Sequence, residues 1–589
     1  MKQFFKFVLA TIVGLILTSF ILILILFGII ASASSDKTVD VESNSILHIA
    51  INYAVNERTA NNPLAGLSFL GDGDKSIGLK DILANIKKAK TDDNIKGIFL
   101  DESAMEAGQA TVEEIRNELI DFKKSGKFII AYSEVYSQSF YYLASVADKV
   151  YINPKGIFEF SGFSSQITFL KGALDKLGVE AQIIKVGTYK SAVEPLVLTK
   201  MSDANRLQVT SYLGSLYDHF LSGISVSRNI NKDTLFNYAN QLRIREPEDA
   251  LKYKLVDGLK YKDEILDELK DRTGTSSKND VKSVDIGEYT NAITKTEDSK
   301  KETSSNRIAV VYASGEIAGG SGDDNSIGSE NISKALRKVR LDRKVKAVVL
   351  RVNSPGGSSL ASDVIWREVM LTKKVKPIIV SMGDVAASGG YYISCAADSI
   401  IAEPNTITGS IGIFAVLPNM QKLFNDKLGV TFDGVKTGKY ADLGDVSRPL
   451  SPEEKLILQN QVNHGYDDFT KAVAAGRHKT QAYINSIGQG RVWTGAQAVK
   501  IGLVDRLGNI NDAINAAASK ANLKGYRLES FPEQKSIFDK FGLGLNAQMK
   551  TYMLKSELGE NFKYYEQIKG LTQLMRTPQA RMPYDVVIK

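Results

Sequence analysis

Cysteine is nearly absent: one residue, Cys395, in a chain of 589. No intramolecular disulfide can form, so the fold must hold through its core. Cys395 lies in the apolar run Tyr391–Ala397 and reads as a small buried residue rather than a nucleophile. Histidine is scarce as well. His48, His219, His464 and His478 make the full set, and none is spaced as a metal-binding pair, so no metal is expected. An excess of one charge is also missing. The 74 basic and 67 acidic residues leave a net charge of +7, spread along the chain, and no nucleic-acid partner is expected from it. The rest is ordinary: 43% hydrophobic and 24% charged residues suffice for a sizeable core, in a length that suggests several domains.

Long apolar runs are missing with one exception. Phe7–Ala31 is a run of 25 residues without a charge, and about 20 residues cross a bilayer as a helix. Lys2 and Lys6 precede it and Asp36 follows. The positive-inside rule then places residues 1–6 in the cytoplasm and everything after the run outside. Ala31-Ser-Ala33 resembles a signal cleavage site, but signal-peptide cores run only about 7–15 residues. Residues 7–31 are therefore expected to stay as a single transmembrane anchor in contact with membrane lipid.

The remainder contains itself twice. Lys96-Gly-Ile-Phe-Leu-Asp101 lines up with Lys346-Ala-Val-Val-Leu-Arg351, Tyr141-Tyr142 with Tyr391-Tyr392, and Ala147-Asp148 with Ala397-Asp398, at a constant offset. Lys176-Leu-Gly-Val179 matches Lys427-Leu-Gly-Val430, and Leu255-Val-Asp257 matches Leu503-Val-Asp505. The first repeat is placed at 45–272 and the second at 307–530, with a C-terminal extension over 531–589. Residues 273–306, rich in Ser, Thr, Lys and Asp, read as a linker. Within each copy, short β-branched runs such as Val348-Val-Leu350 and Ile378-Ile-Val380 predict buried strands. Ile332–Val339 and Val364–Leu371 predict helices, and Ser451-Pro-Glu-Glu454 predicts a helix start. The alternation predicts an α/β fold.

Chemistry is visible where the copies differ. The second has Ser354-Pro-Gly-Gly357 after a strand; the first has Ala104-Met-Glu-Ala107. Two glycines there can expose backbone N–H groups, although the segment alone is also a plain turn. The second copy reads Ala386-Ala-Ser-Gly-Gly-Tyr391, and Gln138 stands in the first where Ser388 stands in the second. By itself Ser388 is equally a helix cap. Conversely, Gly187-Thr-Tyr-Lys190 in the first copy faces Gly438-Lys-Tyr-Ala441 in the second. One copy has the serine without the lysine, the other the lysine without the serine, and these complementary losses suggest one composite site. Asp148 and Asp398 occur in both copies, so they read as structural.

These segments, with Thr408-Gly-Ser-Ile-Gly412, Gly187–Pro195 and Gly490-Arg-Val-Trp-Thr-Gly495, resemble the signal peptide peptidase A (protease IV) family in its long, duplicated form. The resemblance covers nearly the whole chain after the anchor. It implies two tandem Clp/crotonase-like domains and a serine endopeptidase with a Ser/Lys dyad and no cofactor. Ser388 would be the nucleophile and Lys190 the general base. The backbone N–H groups of Gly357 and Gly389 would form the oxyanion hole, and Ser410 would orient the lysine. It also implies signal peptides as substrates, a homo-oligomer, here a tetramer, and a place in the bacterial inner membrane with the catalytic part outside the cytoplasm. In short family members the lysine follows the serine within one domain; that place here is Ala441, which fits the long form. A lysine base must be neutral, so burial must lower its pKa from about 10.4. Three rivals stand beside this reading: a crotonase-type acyl-CoA enzyme, an inactive scaffold, and the same protease acting on other membrane proteins or lipoproteins.

Overall fold

The computed structural model describes residues 2–33, 39–59, 77–101, 105–292, 304–323, 326–534 and 578–582. Lys2–Ala33 is one helix. Side chains are described for only part of its length, and among the described residues no helix is long and apolar enough to cross a membrane.

Each repeat builds its own sheet. In the first, six parallel strands run in the order Gly258–Leu259, Lys149–Phe158, Phe128–Tyr136, Ile95–Asp101, Ser45–Ile49, Ser283–Asp285. In the second, Val345–Ser354 lies at the centre between Ile378–Ala387 and Arg307–Ser314, parallel to both. Both faces of such strands are covered, so they read as continuous apolar runs instead of alternating ones. Helix Ser329–Leu341 buries Ile332, Ala335, Leu336 and Val339, the spacing of one helical face. The helix after Ser451 starts on a capping box: Ser451 caps the backbone N–H of Glu454, whose side chain returns to the Ser451 N–H.

The duplication is repeated in hydrogen bonds. Asp148 accepts from Ile129 N at 2.8 Å and Asp398 from Ile378 N at 2.9 Å. Tyr141 Oη donates to Leu255 O and Tyr391 Oη to Leu503 O. Each aspartate thus ties together the starts of two neighbouring strands in its own sheet. Cys395 is fully buried, and burial pushes its thiol up to about 12, the condition of an inert cysteine.

Two expectations need correction. Residues 273–306 are not all linker, because Ser283–Asp285 pairs with Ser45–Ile49 as the last strand of the first sheet. Val284, Ile286 and Tyr289 are buried there; a few well-placed apolar residues suffice, although composition averages them away. Residues 293–303 lie outside the described residues. The span 531–589 is likewise not a mere extension. Phe531 ends a strand on Arg307–Ser314, and Gln579–Arg581 is a strand inside the fold; 535–577 and 583–589 lie outside the described residues.

The repeats are knit together. A third sheet runs in the order Ser326–Gly328, Glu316–Ala318, Gly356–Ser358, Gln579–Arg581, Phe414–Asn419, Glu180–Lys185. Its last strand belongs to the first repeat and pairs antiparallel with the second, Lys185 opposite Phe414 and Glu180 opposite Asn419. Elsewhere Arg351, fully buried, reaches back to the first repeat: Nε donates to Glu57 at 2.8 Å and Nη2 to Glu114 at 2.6 Å. Asp384 caps the first-repeat helix Gln109–Lys123 by accepting from Thr111 N at 2.8 Å, filling a place for which that helix has no side chain of its own.

Candidate active site

Ser388 sits between strand Ile378–Ala387 and helix Gly389–Ser394. Its backbone adopts φ 55°, ψ −112°, a conformation that costs a non-glycine residue roughly 1–3 kcal/mol. The surroundings impose it. Ser388 N donates to Gly409 O at 2.8 Å, and the next residue has no space for a side chain: a Cβ on Gly389 would stand 2.6 Å from Ser362 Oγ. The sharp turn aims the hydroxyl into the space between the repeats.

Lys190 arrives in that space from the other repeat. It follows the turn that begins at Gly187 and precedes the short helix Ser191–Val193. The turn is held on both sides. Tyr189 N donates to Gln489 O at 2.9 Å, and Gly490 lies so close that a Cβ there would come within 2.6 Å of Lys190 Cα. Gln208 donates to Tyr189 O and accepts from Val492 N, stitching the lysine turn to the second repeat. Glu194 accepts from Ser202 and Asn205, which fixes the start of the helix that carries Gln208.

The two side chains meet within one chain. Lys190 Nζ is 2.8 Å from Ser388 Oγ, and 3.2 Å from both the carbonyl oxygen and the hydroxyl of Ser410. All three residues are 0% exposed. Among the described residues no carboxylate bonds the amine, and the Phe414 ring lies 5.9 Å from it. Burial alone therefore acts on the amine and holds its pKa well below the ordinary lysine value. Ser410 itself has φ 49°, a second strained residue beside the first. An amine that can be neutral at 2.8 Å from a hydroxyl can take its proton.

The two glycine turns also come together. A Cβ on Gly356 would stand 2.7 Å from Gly389 N, so the Gly356–Gly357 backbone abuts the first residue after Ser388. Gly357 has φ 155° and is pressed against Ile317. In the first repeat the counterpart of Ser388, Gln138, instead clamps a loop: its amide accepts from Gly162 N at 3.0 Å and donates to Gly162 O at 2.9 Å. Ala441, the counterpart of Lys190, is exposed on a turn. Ser388, Lys190, Ser410, Gly357 and Gly389 thus gather at one place. Gln208 and Glu194 were not anticipated. Glu194 lies within a segment already singled out; Gln208 carries no local signal, being one polar residue on a long helix.

The chain resembles known proteins over most of its length. It is 39% identical over 471 residues to a protein from Salmonella typhi named Protease 4, covering 78% of this chain and 75% of that one. It is 35% identical over 457 residues to a chloroplastic serine protease SPPA from Arabidopsis thaliana, covering 76% and 66%. A solved structure of a ClpP1 mutant from Listeria monocytogenes aligns over 35% of this chain and 94% of that one, at 16% identity and a TM-score of 0.24, a likeness that decides nothing by itself. The model of peptidase family S49 matches twice, at residues 121–276 and 370–524, once in each repeat. A duplicated α/β chain, matched in both halves and related along three quarters of its length to such proteins, is a serine protease belonging to peptidase family S49.

Proposed function

We propose that this chain is a membrane-anchored endopeptidase in which Ser388 is the nucleophile and Lys190 the general base, acting on extended apolar peptides such as spent signal peptides. The observation that carries the proposal is the 2.8 Å contact between Lys190 Nζ and Ser388 Oγ, made in complete burial. A neutral amine has two N–H donors and one lone pair. Ser410 O and Oγ can receive the two donors, which leaves the lone pair facing the Ser388 hydroxyl. Ser388 Oγ attacks the scissile carbonyl as its proton passes to Lys190. The N–H groups of Gly357 and Gly389 hold the oxyanion. Lys190 then protonates the leaving amine, and water releases the acyl group by the same route.

The helix Lys2–Ala33 supports the anchor. At 1.5 Å per residue it is about 48 Å long, against a hydrocarbon core of about 30 Å. Lys2 and Lys6 mark its cytoplasmic end, so both repeats lie on the outer side of a bacterial inner membrane, where apolar peptides are left after secretion. Assembly into a ring, here a tetramer, has support in the second repeat. Phe432, Val435 and Tyr440 are exposed there, Val435 completely. They occupy the segment matching the one with which the first repeat covers the second. A further copy seated on it head-to-tail would continue the pattern until it closes.

A serine-directed phosphonate probe tests the proposal. It should label wild type at Ser388 and leave Ser388→Ala unlabelled, and hydrolysis of a Leu/Ala-rich peptide in detergent should disappear in the same variant while its circular dichroism is unchanged. Substantial hydrolysis by Ser388→Ala would overturn the proposal.

A further inference from the structure

The segment Gly490-Arg-Val-Trp-Thr-Gly495 supplies none of the reacting groups, yet it touches the supports of each. One side lies against the second repeat's part of the site. Gly490 N donates to Ile411 O and Ser410 N donates to Arg491 O, both at 2.7 Å. Val492 pairs with Gly409, whose carbonyl receives Ser388 N. The other side meets the lysine turn of the first repeat. Val492 N donates to Gln208, which in turn donates to Tyr189 O.

The Arg491 side chain makes a second grip on that turn. Its guanidinium carbon lies 4.2 Å from the centre of the Trp493 ring and 5.2 Å from that of Tyr189, both inside the reach of about 6 Å for a cation–π contact. Trp493 is itself fixed, its Nε1 donating to Ile487 O at 3.0 Å. The charge is otherwise unanswered. Among the described residues no carboxylate pairs with Arg491, and its Nε is buried without a hydrogen-bond partner. A buried donor left unmet calls for a reason, and a flat guanidinium that stacks on rings from both repeats supplies one. Tyr189 immediately precedes Lys190, and the two side chains part: the ring is half-buried, the amine completely buried. Fixing the ring therefore fixes where the amine enters the site.

On the Ser388/Lys190 reading proposed above, we infer that Arg491 is a positioning residue: stacked on Trp493 and Tyr189, it presses the lysine turn of the first repeat onto Ser388 and Ser410 of the second. Releasing the ring lets the turn lift. The amine then loses its register with Ser388 Oγ, and water reaches it. An amine that is no longer dry regains a pKa nearer the ordinary lysine value. The glycine N–H groups beside Ser388 are untouched by this change.

The test is the pH profile of kcat for the full-length chain on a fluorogenic Leu/Ala-rich peptide in detergent. Wild type, Arg491→Leu, Tyr189→Leu and the double variant are compared, with Ser388→Ala as the blank. Each single variant should lower kcat at pH 7 about tenfold or more, as partial loss of a positioned base does, while KM stays within about threefold. Its rising limb should move up by about one pH unit or more as the amine is rehydrated. The double variant should be no worse than either single one, because each removes the same contact. Tyr189→Phe keeps the ring and should restore most of the loss, and Arg491→Lys part of it. Tyr189→Leu alone decides the matter if Arg491→Leu does not fold. A merely structural role would lower the thermal midpoint and leave the limb where it was. A limb unmoved in Tyr189→Leu, or losses that add in the double variant, overturns the inference and leaves the Ser388/Lys190 reading standing. A wild type without a rising limb, or a Ser388→Ala that matches wild-type hydrolysis, overturns both.

Discussion

Replacing Lys190 by methionine keeps the unbranched shape and most of the length of the side chain and removes the amine. On the proposed mechanism the base is lost, while the strained turn at Ser388 and the glycine N–H groups stay in place. Loss of a positioned general base costs about 10²–10⁴ in rate, or roughly 3–5 kcal/mol of barrier at 1.36 kcal/mol per tenfold, and kcat/KM should fall by that factor. Lys190→Arg should be at least as damaging. Guanidinium stays protonated at any working pH, no carboxylate among the described residues awaits it, and the site is full, since a Cβ on Gly412 would stand 3.1 Å from Lys190 Cδ. In wild type the rate should climb with pH through the lowered lysine pKa and then level, because only the neutral amine accepts a proton. Stability should follow the same group. Across the window from the lowered value up to about 10.4, the unfolded chain binds more protons than the folded one. Wild type therefore gains about 1.4 kcal/mol for each pH unit within that window, a dependence that methionine lacks. The thermal midpoint of Lys190→Met should exceed that of wild type most at low pH, and the gap should narrow as pH rises. Steady-state hydrolysis of a fluorogenic peptide and thermal melts in detergent measure both effects. Near-normal turnover by Lys190→Arg, or a wild-type rate that does not change from pH 5 to 10, would refute the neutral-amine reasoning.

Arg351→Ala leaves Glu57 and Glu114 buried without their cation and should destabilise the fold by about 3–5 kcal/mol, read as a fall in thermal midpoint; adding Glu57→Gln and Glu114→Gln should recover part of it. Ala441→Lys should not rescue Lys190→Ala, since residue 441 is exposed on a turn whereas Ser388 is completely buried; recovered hydrolysis would show that the two positions are equivalent around Ser388. Amino-terminal sequencing of the membrane-extracted protein should find Phe7–Ala31 still attached, and a mature start near Ser34 would make that run a cleaved signal.

Much of this is legible in the residues themselves. The Val348–Leu350 and Ile378–Val380 strands, the helix that follows Ser451 and the composite pairing of Lys190 with Ser388 all follow from local pattern or from comparing the two copies. What stayed hidden depends on residues far apart in the chain. Arg351 looks like an ordinary charged strand end, and only Glu57, 294 residues away, explains its complete burial. Glu180–Lys185 reads as a strand of its own repeat, yet its partner is Phe414–Asn419 of the other, and no periodicity announces which edge a strand will join. Gln208 acts through Tyr189 and Val492, a contact without local signature. Ser283–Asp285 was lost in a polar stretch because a three-residue strand needs only one buried valine.

The 198 residues that separate Lys190 from Ser388 also set a clock. Chains are synthesised at about 5–20 residues per second, with amino-terminal domains folding first, so about 10–40 s pass between the emergence of the two residues. A nascent chain in that interval has a folded first half with a buried-to-be amine and no hydroxyl to activate. It is harmless to itself and to the unfolded chains around it. On the proposed mechanism, splitting the pair between halves makes activity a late event in the life of the molecule, available only to a chain whose second half has been made and has closed on its first.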